Sequence, residues 1–66
     1  MKIVLNGESK NVDTESTVEG LLKQFNLQPE RVVVELNKEI LNKAIFSLTK
    51  LNDGDNVEVI QFVPGG

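Results

Sequence analysis

Residues 51–66 read LNDGDNVEVIQFVPGG, and this stretch decides how the chain folds. Asn52-Asp53-Gly54-Asp55 is a turn: glycine supplies positive φ at no steric cost, and Asn and Asp side chains bond their own backbone. Asn56 to Val63 then alternates well enough for a last, long strand. Pro64 ends that strand, because proline has no N–H to give a ladder. Asp53 and Asp55 are the one acidic pair that invites a catalytic reading, and turn chemistry explains them without one. Beyond the strand only Gly65 and Gly66 remain.

Working back from that strand, Arg31 to Leu36 is rich in β-branched residues and reads as another strand. Asn37-Lys38 turns it into the short run Glu39 to Leu41. At the other end, Ile3 to Leu5 is a first strand, and Asn6-Gly7 is the dipeptide best suited to a tight hairpin. Glu8 to Val12 returns antiparallel. Between these lies one helix. Ser16 and Glu19 have the spacing of a capping box, with Thr17 the alternative cap. Val18, Leu21, Leu22 and Phe25 fall at i, i+3, i+4 and i+7, one apolar stripe. Gly20 within it costs about 1 kcal/mol relative to alanine unless close packing needs it. Asn26 suits a left-handed stop and Pro29 bars continuation, so the helix runs about ten residues. Asn42 to Leu51 has no clean period and reads as a loop holding one helical turn. The order strand, strand, helix, strand, short strand, strand predicts an α+β roll. In it a sheet of four or five strands packs on one helix, with its other face uncovered.

Sixty-six residues, taken as one domain over 1–66, leave little mass for an enclosed active site. With no cysteine and no histidine, Ser-His and Cys-His catalysis lose their usual base, and zinc and iron–sulfur sites their preferred ligands. No Gly-rich phosphate loop is present. The net charge of −3, with basic residues scattered singly, argues against nucleic-acid binding. Ile3-Val4-Leu5 is too short an apolar run for a signal-peptide core or a membrane span, and the cytoplasm is the expected compartment.

The ending is chemically distinctive. Two terminal glycines arise by chance in roughly 0.5% of sequences at ordinary glycine usage, so a reason for them is worth seeking. Without a Cβ, the backbone of Gly65-Gly66 can pass through a channel that any side chain would obstruct. Pro64 fixes one φ in advance and lowers the cost of ordering the tail. A terminal carboxylate is ionised at neutral pH and is a poor electrophile, so it must be activated before it carries anything. The chain has no phosphate site of its own, and a partner enzyme must therefore do this.

The opening MKIVLNG, the segment VVVELNKEIL and the ending LNDGDNVEVIQFVPGG together resemble the ThiS family of sulfur carriers of thiamine biosynthesis. The likeness covers essentially the whole chain, and departs at Asn42-Lys43, where many relatives carry Pro-Arg. It implies a β-grasp, ubiquitin-like fold and a non-enzyme role. A ThiF-like adenylating enzyme, related to those of the ubiquitin system, would use ATP to activate Gly66. A persulfide from a cysteine desulfurase or related donor would then supply sulfur, leaving a thiocarboxylate for thiazole synthase (ThiG-like). No cofactor would be bound by the chain itself, and the tail residues Gly65 and Pro64 would be recognised by the enzymes.

Strand alternation adds a candidate docking patch. If Val57 and Val59 face the helix, Ile60 and Phe62 face outward, and Val33 joins them if Val32 and Val34 point inward. Three rivals share much of this pattern: the small subunit of molybdopterin synthase, a β-grasp interaction module without sulfur chemistry, and a modifier that forms isopeptide bonds.

Overall fold

A computed structural model describes residues 1–62; Val63, Pro64, Gly65 and Gly66 lie outside the described residues. The elements are β1 (Lys2–Leu5), β2 (Glu8–Asn11), α1 (Val18–Gln24), β3 (Val32–Leu36), β4 (Glu39–Ile40) and β5 (Asn56–Gln61). They form one five-stranded sheet in the order β2-β1-β5-β3-β4. The sheet is mixed: β1 and β5 run parallel, and the other neighbours are antiparallel.

Both hairpin turns use left-handed backbone. Asn6 and Gly7 have φ of 50° and 83°, and Asn37 and Lys38 have 50° and 72°. Positive φ at both central residues matches the natural twist of a hairpin, and Asn-Gly adopts it at least cost. The acidic turn before β5 does structural work. Asp53 Oδ1 accepts from the Lys2 N–H at 2.8 Å, and Asp55 Oδ2 accepts from the Asn52 N–H at 2.8 Å. Asp55 Oδ1 also takes the Asn37 side-chain amide at 3.1 Å. Both carboxylates of the suspected pair thus tie β1 and β3 to the turn.

The helix is shorter than the stripe suggests, seven residues rather than about ten, and the capping box does not form. Thr17 is the cap: its Oγ1 accepts from the Gly20 N–H at 3.1 Å, while the Ser16 hydroxyl donates to the Asp13 carbonyl. The amides of Val18 and Glu19, which a capping box would help to satisfy, donate instead to the carbonyls of Thr49 and Phe46. At the other end Asn26, with φ of 58°, stops the helix. Its N–H donates to Lys23 O and that of Leu27 to Leu22 O, the paired bonds of a Schellman ending. Pro29–Arg31 forms a 3₁₀ turn that sequence periodicity does not reveal.

Val18, Leu21 and Leu22 of α1 join Ile3, Leu5, Val32, Val34, Val57 and Val59 of the sheet in one buried cluster. Val12, Phe46 and Leu51 complete it from the connections. Phe46 follows a 3₁₀ turn at Lys43–Ile45, capped by Asn42, whose Oδ1 accepts from the Ala44 N–H. The segment expected to be a loop with one helical turn is that, and it also supplies an aromatic anchor to the core.

Gly20 has no close-packing role. A Cβ there would meet nothing nearer than Thr17 Oγ1 at 3.5 Å, an ordinary contact. Gly20→Ala is expected to stabilise the domain by about 0.5–1 kcal/mol, through lower entropy of the unfolded chain. Thermal unfolding checks this: the midpoint should rise by a few degrees, and a fall would show that the helix needs its bare backbone here.

Outside the core, Lys50 Nζ donates to Glu15 Oε2 at 2.7 Å beside the start of α1. This bond holds the Glu15 carboxyl below its usual range and the Lys50 ammonium above its own. The Glu15 contribution is present above the ordinary carboxylate pKa and is lost as pH falls through its lowered value. Both groups are solvent-exposed, so salt screens the pair.

Candidate functional site

The helix covers one face of the sheet and leaves the other to solvent, and β5 shows the division residue by residue. Val57 and Val59 are buried, while Glu58 and Ile60 are exposed. On β3, Val32 and Val34 are buried and Val33 is exposed. The alternation expected from sequence therefore holds. Val33 and Ile60 lie directly opposite each other across β3 and β5. Phe62 follows at the tail end of β5, its N–H donating to the Arg31 carbonyl at 2.9 Å. These three side chains are 37%, 55% and 45% exposed, enough apolar surface for a partner to cover.

The next row, farther from the tail, has a different character. Glu35 and Glu58 are paired directly across the strands, with Ile40 of β4 opposite Glu35. Like charges so placed repel each other mildly. The face thus grades from an apolar end at Phe62 to an acidic middle. Ile40, 72% exposed, belongs to this surface and was not singled out in the sequence. The signal that finds it is the Asn37-Lys38 turn, which sets the register of β4 against β3.

Among the described residues no group of three or more Asp and Glu gathers as a metal site, and no cavity opens. No buried polar side chain among the described residues lacks a partner. No described helix is long and apolar enough to cross a membrane. Of the candidate site residues, Val33, Ile60 and Phe62 are brought together on one face. Gly66, Gly65 and Pro64 lie outside the described residues, four to two positions beyond Phe62.

Comparisons with known proteins agree on one family. The model of the ThiS family matches residues 3–66. A crystal structure of a thiamine biosynthesis protein (ThiS) from Geobacter metallireducens superposes with a TM-score of 0.85 at 39% identity, over the whole of both chains. The sulfur carrier protein ThiS of Bacillus subtilis is 40% identical over 50 residues, 76% of each chain. A thiazole synthase of Paramagnetospirillum magneticum is 41% identical over all 66 residues of this chain, which spans 20% of that protein's length.

Proposed function

This chain belongs to the ThiS family, and we propose that it carries sulfur for thiamine biosynthesis on the C-terminal carboxylate of Gly66. The observation that carries the reading is the family match, which spans residues 3–66 and so includes both terminal glycines. The composition supports it: with neither cysteine nor histidine the chain lacks the usual nucleophile and base, and the chemistry is assigned to partner enzymes.

The steps follow from the carboxylate's chemistry. A carboxylate oxygen of Gly66 attacks the α-phosphorus of ATP in the adenylating enzyme, and pyrophosphate departs. The terminal sulfur of a persulfide then attacks the acyl carbon and displaces AMP. A thiol cleaves the resulting acyl disulfide, which leaves the thiocarboxylate and a new disulfide. On thiazole synthase the C–S bond breaks as the sulfur passes to the acceptor, an oxygen from water or from the acceptor takes its place on the acyl carbon, and the chain returns with an ordinary carboxylate. In this scheme the chain is a co-substrate. ATP is bound by the activating enzyme, and the sulfur donor is a cysteine desulfurase or a protein that relays its persulfide. Gly65 lets the tail run thinly into each active site, where side-chain bulk would obstruct it, and Pro64 fixes one φ in advance.

The test is sulfur transfer itself. A chain loaded with sulfur is mixed with thiazole synthase and its other substrates, and its intact mass is followed. Return to the unloaded mass, in step with thiazole formation, is the expected result. A loaded chain that stays loaded while thiazole is made would refute the role.

Val33, Ile60 and Phe62 form the docking face on this reading, with the tail at its edge. Phe62→Asp places a charge where the partner would bury apolar surface, an exchange that costs a few kcal/mol if the group is desolvated. Binding to the adenylating enzyme, measured by titration calorimetry, should weaken about 10- to 100-fold, each tenfold being 1.4 kcal/mol. An unchanged Kd would remove the patch from the interface.

A further inference from the structure

The sheet has a gap beside its central strand. β1 pairs with β5 only at Val4↔Asn56 and Leu5↔Val57, then turns away at Asn6-Gly7. Backbone groups along β5 alternate between two neighbours. Asn56 O and the Phe62 N–H bond toward β3, to Asn37 and Arg31. Asp55 O and Val57 O accept from the Val4 and Asn6 amides of β1. At Val59 the backbone of β1 has already left, and the side chain of Asn6 takes its place. Its Oδ1 accepts from the Val59 N–H at 2.8 Å and its Nδ2 donates to the Val59 carbonyl at 3.2 Å. One amide side chain thus supplies the acceptor and the donor that two further strand residues would have given.

By the same alternation, the next N–H and C=O on this side are those of Gln61. Gln61 is exposed, and among the described residues no backbone or side chain on the β1 side bonds to it. An extended strand with one bare edge is a template for another extended segment. Here the edge is not at the margin of the sheet but on its central strand, at the C-terminal end of β5.

We propose that this notch, floored by Asn6 and bordered by Gln61, receives an extended backbone segment of the adenylating enzyme. The segment would continue the sheet in the position that β1 vacates. The inference rests on the carrier reading above and specifies how that partner grips the chain. Two observations select the occupant. The unfilled groups are one backbone donor and one backbone acceptor, which an extended main-chain segment matches and an apolar or singly charged side-chain anchor does not. Moreover, Gly66 lies five residues beyond Gln61, at most about 17–18 Å along an extended chain. An enzyme holding that carboxylate in its active site must have its surface beside the notch. Pairing at Gln61 would also hold the start of the tail extended and aimed.

Residue-resolved hydrogen exchange tests this on the intact chain, alone and in complex with the adenylating enzyme. In the free protein the Gln61 amide should exchange readily, while the Phe62 amide, bonded to Arg31, is slowed. In the complex Gln61 should slow by about tenfold or more, as a new bond requires its opening before exchange. A Gln61 amide already protected in the free protein, or unchanged in a complex that still loads sulfur, would overturn the notch and spare the carrier role. Failure to bind the enzyme, together with failure to gain sulfur, would overturn both.

Discussion

Removal of Gly66 alone should abolish sulfur loading while the thermal midpoint stays where it is. The shortened chain still ends in a glycine carboxylate, so the chemistry is intact and only reach is lost. One extended residue is about 3.3–3.6 Å. Reacting atoms must come within about 3–3.5 Å, and a misplacement of 1 Å can cost about 100-fold in rate. A deficit of a whole residue should therefore put loading below detection at any practical enzyme concentration. Among the described residues the last buried core side chain is Val59, so deletion of Gly66 leaves that core untouched. Intact mass after incubation with ATP, enzyme and sulfur donor checks the first half, and thermal unfolding the second. Loading at the normal rate would contradict the reach argument. A large fall in the midpoint would show the tail to be part of the fold.

Phe46→Ala should be the most damaging change in the body. Phe46 is 3% exposed, and its carbonyl also accepts the Glu19 N–H at the start of α1. Truncating a buried phenylalanine costs about 3–5 kcal/mol. A domain of this size has roughly 3–10 kcal/mol in total, at the usual stability per residue. Denaturant unfolding should therefore show a variant near the edge of folding, with sulfur loading reduced in proportion to the folded fraction. A loss below about 1 kcal/mol would mean that the 42–51 segment can collapse around the gap.

That residue also marks where reading the sequence ran short. The order of elements along the chain, the two hairpins and the inward or outward sense of Val32, Val33, Val34, Val57, Val59, Ile60 and Phe62 were legible, because period-two alternation and turn chemistry are local signals; the strand order within the sheet was not. Asn26 was legible as a stop for the same reason. Phe46 was not, since a single buried aromatic in an aperiodic stretch has no repeat to announce it. Its connection to the helix runs through backbone amides of Val18 and Glu19 that carry no side-chain signature. The capping box misled for a related reason: Ser16 and Glu19 have the right spacing, but Thr49 and Phe46 had already taken the amides that it would serve.

Of the candidate site, sequence exposed the apolar patch and the diglycine but not the notch. The role of Asn6 depends on the pairing of β1 stopping at Leu5↔Val57 while β5 runs on to Gln61, a fact of register between strands far apart in the chain. As part of an Asn-Gly turn the residue looked fully explained. Only with β5 alongside does its side chain prove to be a stand-in for missing strand.

The most direct measurement is the intact mass and fragmentation of the chain after incubation with ATP, the adenylating enzyme and a persulfide donor. The account predicts a gain equal to one oxygen exchanged for one sulfur, confined to fragments that contain Gly66. Sulfur found on any residue of the body, or no gain at all, would contradict it.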